Sequence, residues 1–67
     1  MDISLREWVT EVGGARAAAE TIGIAEVTVW KYLSGDRRPR PEIAAKIERL
    51  SGGRVRKEAL IWPSEAA

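Results

Sequence analysis

Between Ala25 and Leu33 the sequence AEVTVWKYL sets side chains of several chemical kinds at helical spacing. With Val29 and Leu33 facing inward, Glu26, Val27, Trp30 and Lys31 face outward, and Thr28 and Ser34 fall at the edges. These types suit the edges of base pairs in a DNA groove. A carboxylate at Glu26 accepts from the exocyclic amine of cytosine, Val27 suits a thymine methyl, and Lys31 suits a guanine edge or a phosphate. A carboxylate facing DNA costs electrostatic energy unless a base donor meets it. The alternative for Glu26 is that attraction to the helix dipole holds it at the helix start. Trp30 is the odd member, an indole on an exposed face that must meet sugar or base edges, a second subunit, or solvent.

A second group of residues suits phosphate. Arg37, Arg38 and Arg40 follow the helix in a short connector, where a duplex backbone would pass, and Ser34 closes the helix before them. The helix that begins at Gly14-Ala15 leaves free amides and the positive end of a helix dipole at Ala15, a setting for a phosphate that Arg16 would share. Arg16 has a plainer alternative as a surface arginine or an ion-pair partner of Glu20, four residues on. The connector arginines have one too, as a solvated charged face.

Both groups depend on the stretch ARAAAETIGIAEVTVWKYL, residues 15–33, to position them. It reads as two short helices meeting at Gly23. Ala19 is small where the helices cross closest, and glycine enters left-handed backbone space without a side-chain clash. Ile22 and Ile24 plug the corner, and Val29 faces back into it with Leu33 one turn on. A small residue, a turn glycine and an inward β-branched residue at these offsets make a helix-turn-helix. An αα-corner with no ligand is the alternative.

Composition removes other classes of function. The chain has 67 residues, no cysteine and no histidine. Disulfides and thiolate sites are therefore out, along with the commonest general base and zinc ligand. Nothing places two carboxylates in an apolar cleft, so no enzyme and no cofactor is expected, and no small-molecule substrate. No apolar run reaches the roughly 20 residues of a membrane span and no signal peptide opens the chain, so no membrane contact is expected and the composition is compatible with a cytoplasmic protein. The net charge is only +1, and its distribution says more. Through Trp30 the basic residues are Arg6 and Arg16, against Asp2, Glu7, Glu11, Glu20 and Glu26. From Lys31 to Lys57 come Lys31, Arg37, Arg38, Arg40, Lys46, Arg49, Arg54, Arg56 and Lys57, against Asp36, Glu42 and Glu48.

The flanking segments complete the expected architecture. Ser4 and Glu7 form a capping box at the start of a first helix, with Ile3 and Trp8 at the spacing of a hydrophobic staple. Leu5, Trp8, Val9 and Val12 make its apolar stripe, and Gly13-Gly14 end it. Pro41 opens a fourth helix. Its buried stripe is expected to be Ile43, Ala44, Ile47 and Leu50, with Lys46, Glu48 and Arg49 in water. Residues 54–60 read as either a helical turn or an edge strand around Val55. Leu60-Ile61-Trp62-Pro63 is an apolar tail that docks near Trp8 or serves an interface with another copy or a protein partner. The expectation is one domain over residues 1–63 and a frayed end at residues 64–67.

The run GGARAAAETIGIAEVTVWKYLSGDRR, followed by PEIAAKIERLSGGRVRKEAL, resembles the Cro-type and YdaS-like helix-turn-helix regulators of phages and prophages. The resemblance rests on Gly13-Gly14, the Ala19/Gly23/Val29 corner, Leu33-Ser34-Gly35, Pro41 with Ala44, Ile47 and Glu48, then Gly52-Gly53 before Val55, and Leu60. It implies an all-α, five-helix repressor-like domain that binds double-stranded DNA as a homodimer on a two-fold operator, as a transcriptional repressor. It also implies that Glu26, Val27, Trp30 and Lys31 occupy base-reading positions and Arg16 a phosphate-contacting one. The chain departs from the pattern at Ala25 (usually a serine cap), Trp30 (a small polar residue) and Tyr32 (a tryptophan). Two other readings use the same residues: an antitoxin that binds both its operator and a protein, and a helix-turn-helix recruited for protein binding alone, with Trp30 as anchor.

Overall fold

Five helices make up the computed structural model, which describes residues 2–61: α1 (Leu5–Val12), α2 (Ala15–Ile22), α3 (Glu26–Ser34), α4 (Pro41–Leu50) and α5 (Lys57–Ile61). No strand occurs among the described residues, as the all-α expectation requires. The two alternatives for residues 54–60 therefore resolve in favour of helix, with turns and bends over residues 51–55 leading into α5. Trp62, Pro63 and residues 64–67, to which the end of the apolar tail and the frayed terminus are assigned, lie outside the described residues.

Local chemistry sets the helix ends. Ser4 Oγ accepts from the Glu7 amide at 3.1 Å, and Glu7 Oε1 accepts from the Ser4 amide at 3.2 Å, completing the capping box. Gly13 closes α1 in the left-handed region at φ 115°. Gly23 does the same for α2 at φ 90°, and its amide donates to Ala19 O at 2.8 Å. An L side chain at that φ would be strained, so the corner between α2 and α3 needs glycine.

Packing radiates from α2, which lies against α1, α3 and α4, while α5 covers α4. Ala15, Ala18 and Ala19 are all buried, and their short side chains allow the close approach that Ile22 and Val29 then seal. The core gathers these with Trp8, Val9, Ala44, Ile47, Val55 and Leu60, and Ile3, Leu5, Val12, Ile24, Leu33, Ile43 and Ile61 pack around it. Trp8 is thus a core residue, and Leu60 and Ile61 belong to the same core. Burying a side chain such as Ile22 or Ile47 contributes about 1.5–3 kcal/mol, more than the roughly 1 kcal/mol of a helix cap. Hydrophobic contact therefore dominates local capping here.

The fourth helix departs from its expected stripe. Leu50 is 39% exposed, whereas Ser51 is 3% exposed. With Ile47 central, Ala44 and Ser51 lie on one flank of the helix and Ile43 and Leu50 on the other. The core takes the first flank, so Leu50 is left at the rim. Ser51 can be buried because its hydroxyl donates to Glu48 O and accepts from the Val55 amide, both at 2.9 Å. Lys46 and Glu48, expected in water, are half-buried. Glu48 Oε2 accepts from the Lys57 amide at 2.9 Å and so caps the start of α5. No helix among the described residues is long and apolar enough to cross a membrane.

Candidate nucleic-acid interface

The corner at Gly23 turns α3 so that Val29 is buried and the opposite face is open. Val27 is 59% exposed and Trp30 53% exposed, with Glu26, Lys31 and Ser34 beside them toward solvent and Thr28 at the edge. Val27 and Trp30 are the most exposed of the large apolar side chains among the described residues. Nothing caps α3 at its start: Ala25 is the N-cap residue, without a side-chain hydrogen bond to the helix. Trp30 Nε1 donates to Glu26 Oε2 at 3.3 Å, one turn along the exposed face. The Ser34 hydroxyl donates to Lys31 O at 3.1 Å, which leaves its oxygen free only as an acceptor.

The connector after α3 is tied to that helix, for the Arg37 amide donates to Lys31 O at 3.3 Å. Pro39 is buried while Arg37, Arg38 and Arg40 are exposed. The buried proline anchors the connector and leaves the guanidinium groups outside. Those three arginines, which the sequence shows only as a run, line one shallow hollow together with Tyr32, Glu42 and Ile43. Among the described residues, none of Arg16, Lys31, Arg37, Arg38 and Arg40 takes part in an ion pair. Arg16 is exposed near the start of α2 and is not paired with Glu20, which sets aside the ion pair and leaves a surface arginine as the alternative. At Ala15 the side chain is in the core at 6% exposed, so only its backbone amide, at an N-terminus with no side-chain cap, is left to meet a ligand.

Two other basic residues, Arg54 and Arg56, behave differently. Arg54 meets Glu11 through both terminal guanidinium nitrogens, at 2.8 and 3.0 Å, and its Nε donates to Ser51 O at 3.0 Å. The hydrogen bonds from Arg54 hold the Glu11 carboxyl below its ordinary range, and Glu11 in turn raises Arg54. Arg56 lies within 4.0 Å of Asp2, Glu48 and Glu58 carboxylates. These contacts clasp the start of the chain and α1 to the segment between α4 and α5, as does the Ile3 amide donating to Arg54 O at 2.8 Å. Sequence reasoning missed the clasp: Glu11 and Arg54 are 43 residues apart, and no local pattern links them. It also missed Tyr32 as a wall of the arginine hollow.

A family profile described as "Bacterial toxin YdaS" matches residues 5–61. No curated protein and no solved structure matches the chain.

Proposed function

The chain belongs to the bacterial toxin YdaS family, small prophage-type proteins of regulator-like or toxin-like character, and on that premise we propose that it is a sequence-specific DNA-binding regulator. The observation that carries the reading is the open α3 face, apolar at Val27 and Trp30, flanked by Lys31 and by arginines that no carboxylate pairs with among the described residues. In this reading α3 enters the major groove with Glu26, Val27, Thr28, Trp30 and Lys31 at base edges. Arg37, Arg38 and Arg40 neutralise phosphates on one side of it. Arg16, the Ala15 amide and Ser34 meet the backbone elsewhere. Binding as a homodimer to half-sites one DNA turn apart, about 10 base pairs, follows for a two-fold operator, and occupancy of such an operator represses the adjacent promoter.

The test is salt dependence. Lys31→Ala and Arg38→Ala are expected to weaken duplex binding and to flatten the slope of log K against log salt by about one unit for each phosphate that is no longer neutralised. Unchanged affinity and slope in both variants would favour the reading in which the motif binds protein alone. The antitoxin reading needs a second surface for a protein. Leu60 and Ile61, half of the tail assigned to that role, are packed with the core. The family's description as a toxin supports a different second reading, in which overproduction arrests growth through the same α3 surface occupying DNA. Relief of that arrest by Lys31→Ala would support it.

A further inference from the structure

On the outer face of α3 two side chains are joined in a way that bears on which base the helix would read. Glu26 is the first residue of the helix, and one of its carboxylate oxygens is held by the indole N–H of Trp30 at 3.3 Å. Both side chains are exposed. Glu26 makes no ion pair among the described residues, and Oε1 accepts no hydrogen bond there. Indole has a single donor. Once that donor is spent on Glu26, Trp30 offers only its apolar ring, beside the exposed Val27.

We propose that Trp30 is a positioning residue that aims the free oxygen of Glu26 at the exocyclic amine of a cytosine, making this pair a determinant of operator sequence. The proposal rests on the DNA-binding reading and adds to it the residue that holds Glu26 toward its base. A carboxylate only accepts hydrogen bonds, so guanine and thymine, which present acceptors toward the major groove, repel it. Adenine offers an amine but sets the N7 acceptor beside it, whereas cytosine presents the amine alone. An unheld glutamate would swing away from the negative potential of the duplex. The indole bond keeps it at the helix start, where the dipole also favours it. The ring of Trp30 and the methyls of Val27 then face the apolar side of the neighbouring base step.

The experiment is selection of bound duplexes from a random pool, followed by titration of the selected site and its single-base variants. It uses the wild type, Trp30→Phe and Glu26→Gln. Both positions are exposed, so circular dichroism is expected to show the same fold for all three proteins. The wild type should prefer cytosine roughly tenfold over other bases at one position per half-site. Glu26→Gln should move that preference to adenine, because an amide matches the N6 and N7 pair. Trp30→Phe keeps the ring and loses the donor. Its cytosine preference, read as the ratio of its affinities for the selected site and the single-base variants, should fall to about two-fold. A Trp30→Phe protein with the full preference, or a Glu26→Gln protein that still selects cytosine, overturns the proposal. A wild type that binds duplexes without base preference overturns it too and leaves DNA binding standing, whereas a wild type that binds no duplex removes both.

Discussion

Arginines 37, 38 and 40 and arginines 54 and 56 belong to one basic stretch in the sequence, yet the fold puts them to opposite uses. The later two are turned toward carboxylates: Arg54 grips Glu11 with two hydrogen bonds, and Arg56 sits among Asp2, Glu48 and Glu58. The earlier three stand around an open hollow beside α3 with no ion pair among the described residues. The contrast shows that a run of positive charge is not itself a binding surface. Charge already met by a carboxylate inside the fold is not free to replace the counterions of a phosphate, while unmet charge is. The connector arginines, which end at Arg40, are unpaired among the described residues, and the arginines that brace the fold lie beyond α4.

Perturbations of decreasing size test that division. The largest effect is expected where both regions share support. Ile22→Ala removes a buried side chain from the corner and should cost about 2–5 kcal/mol. In a domain this short that is most of the stability, so thermal melts followed by circular dichroism should show loss of fold and of DNA binding together. Next comes Arg54→Met, which keeps the aliphatic stem and removes the grip on Glu11. A modest fall in Tm is expected, with duplex affinity at fixed salt unchanged; reduced affinity in a folded Arg54→Met protein would break the division. The smallest effect is in pH. Because Arg54 lowers the Glu11 pKa in the folded state, the pair stabilises fully only above the ordinary carboxylate value of 4.5 and loses its contribution as the pH falls through the lowered folded value. The Tm difference between wild type and Arg54→Met should therefore shrink as the pH is taken below that range.

What the sequence revealed and what it hid divide along the range of the interactions. The capping box at Ser4 and Glu7, the glycine turn at Gly23 and the inward Val29 are encoded within a few residues, and each stands where the spacing places it. The outward face of α3 follows from the same phase. Leu50 and Ser51 went the other way, because helical periodicity gives the width of an apolar stripe but not which flank the neighbouring helices cover. A serine is readable as buried only once its hydroxyl is seen bridging Glu48 and Val55. The Glu11–Arg54 clasp and the hollow shared by Tyr32 and the connector arginines join residues through the tertiary fold, so charge counting along the chain merged two populations that the structure keeps apart.

The most direct measurement compares duplex binding by wild type, the triple variant Arg37→Ala/Arg38→Ala/Arg40→Ala and the double variant Arg54→Ala/Arg56→Ala, titrated from low to moderate salt. If the unpaired arginines serve DNA, the wild type binds with a steep salt dependence and the triple variant shows a slope flattened by about three units. The double variant keeps the wild-type slope wherever it remains folded. A wild type that leaves duplex DNA unbound at low ionic strength, or a triple variant indistinguishable from it, would contradict that assignment.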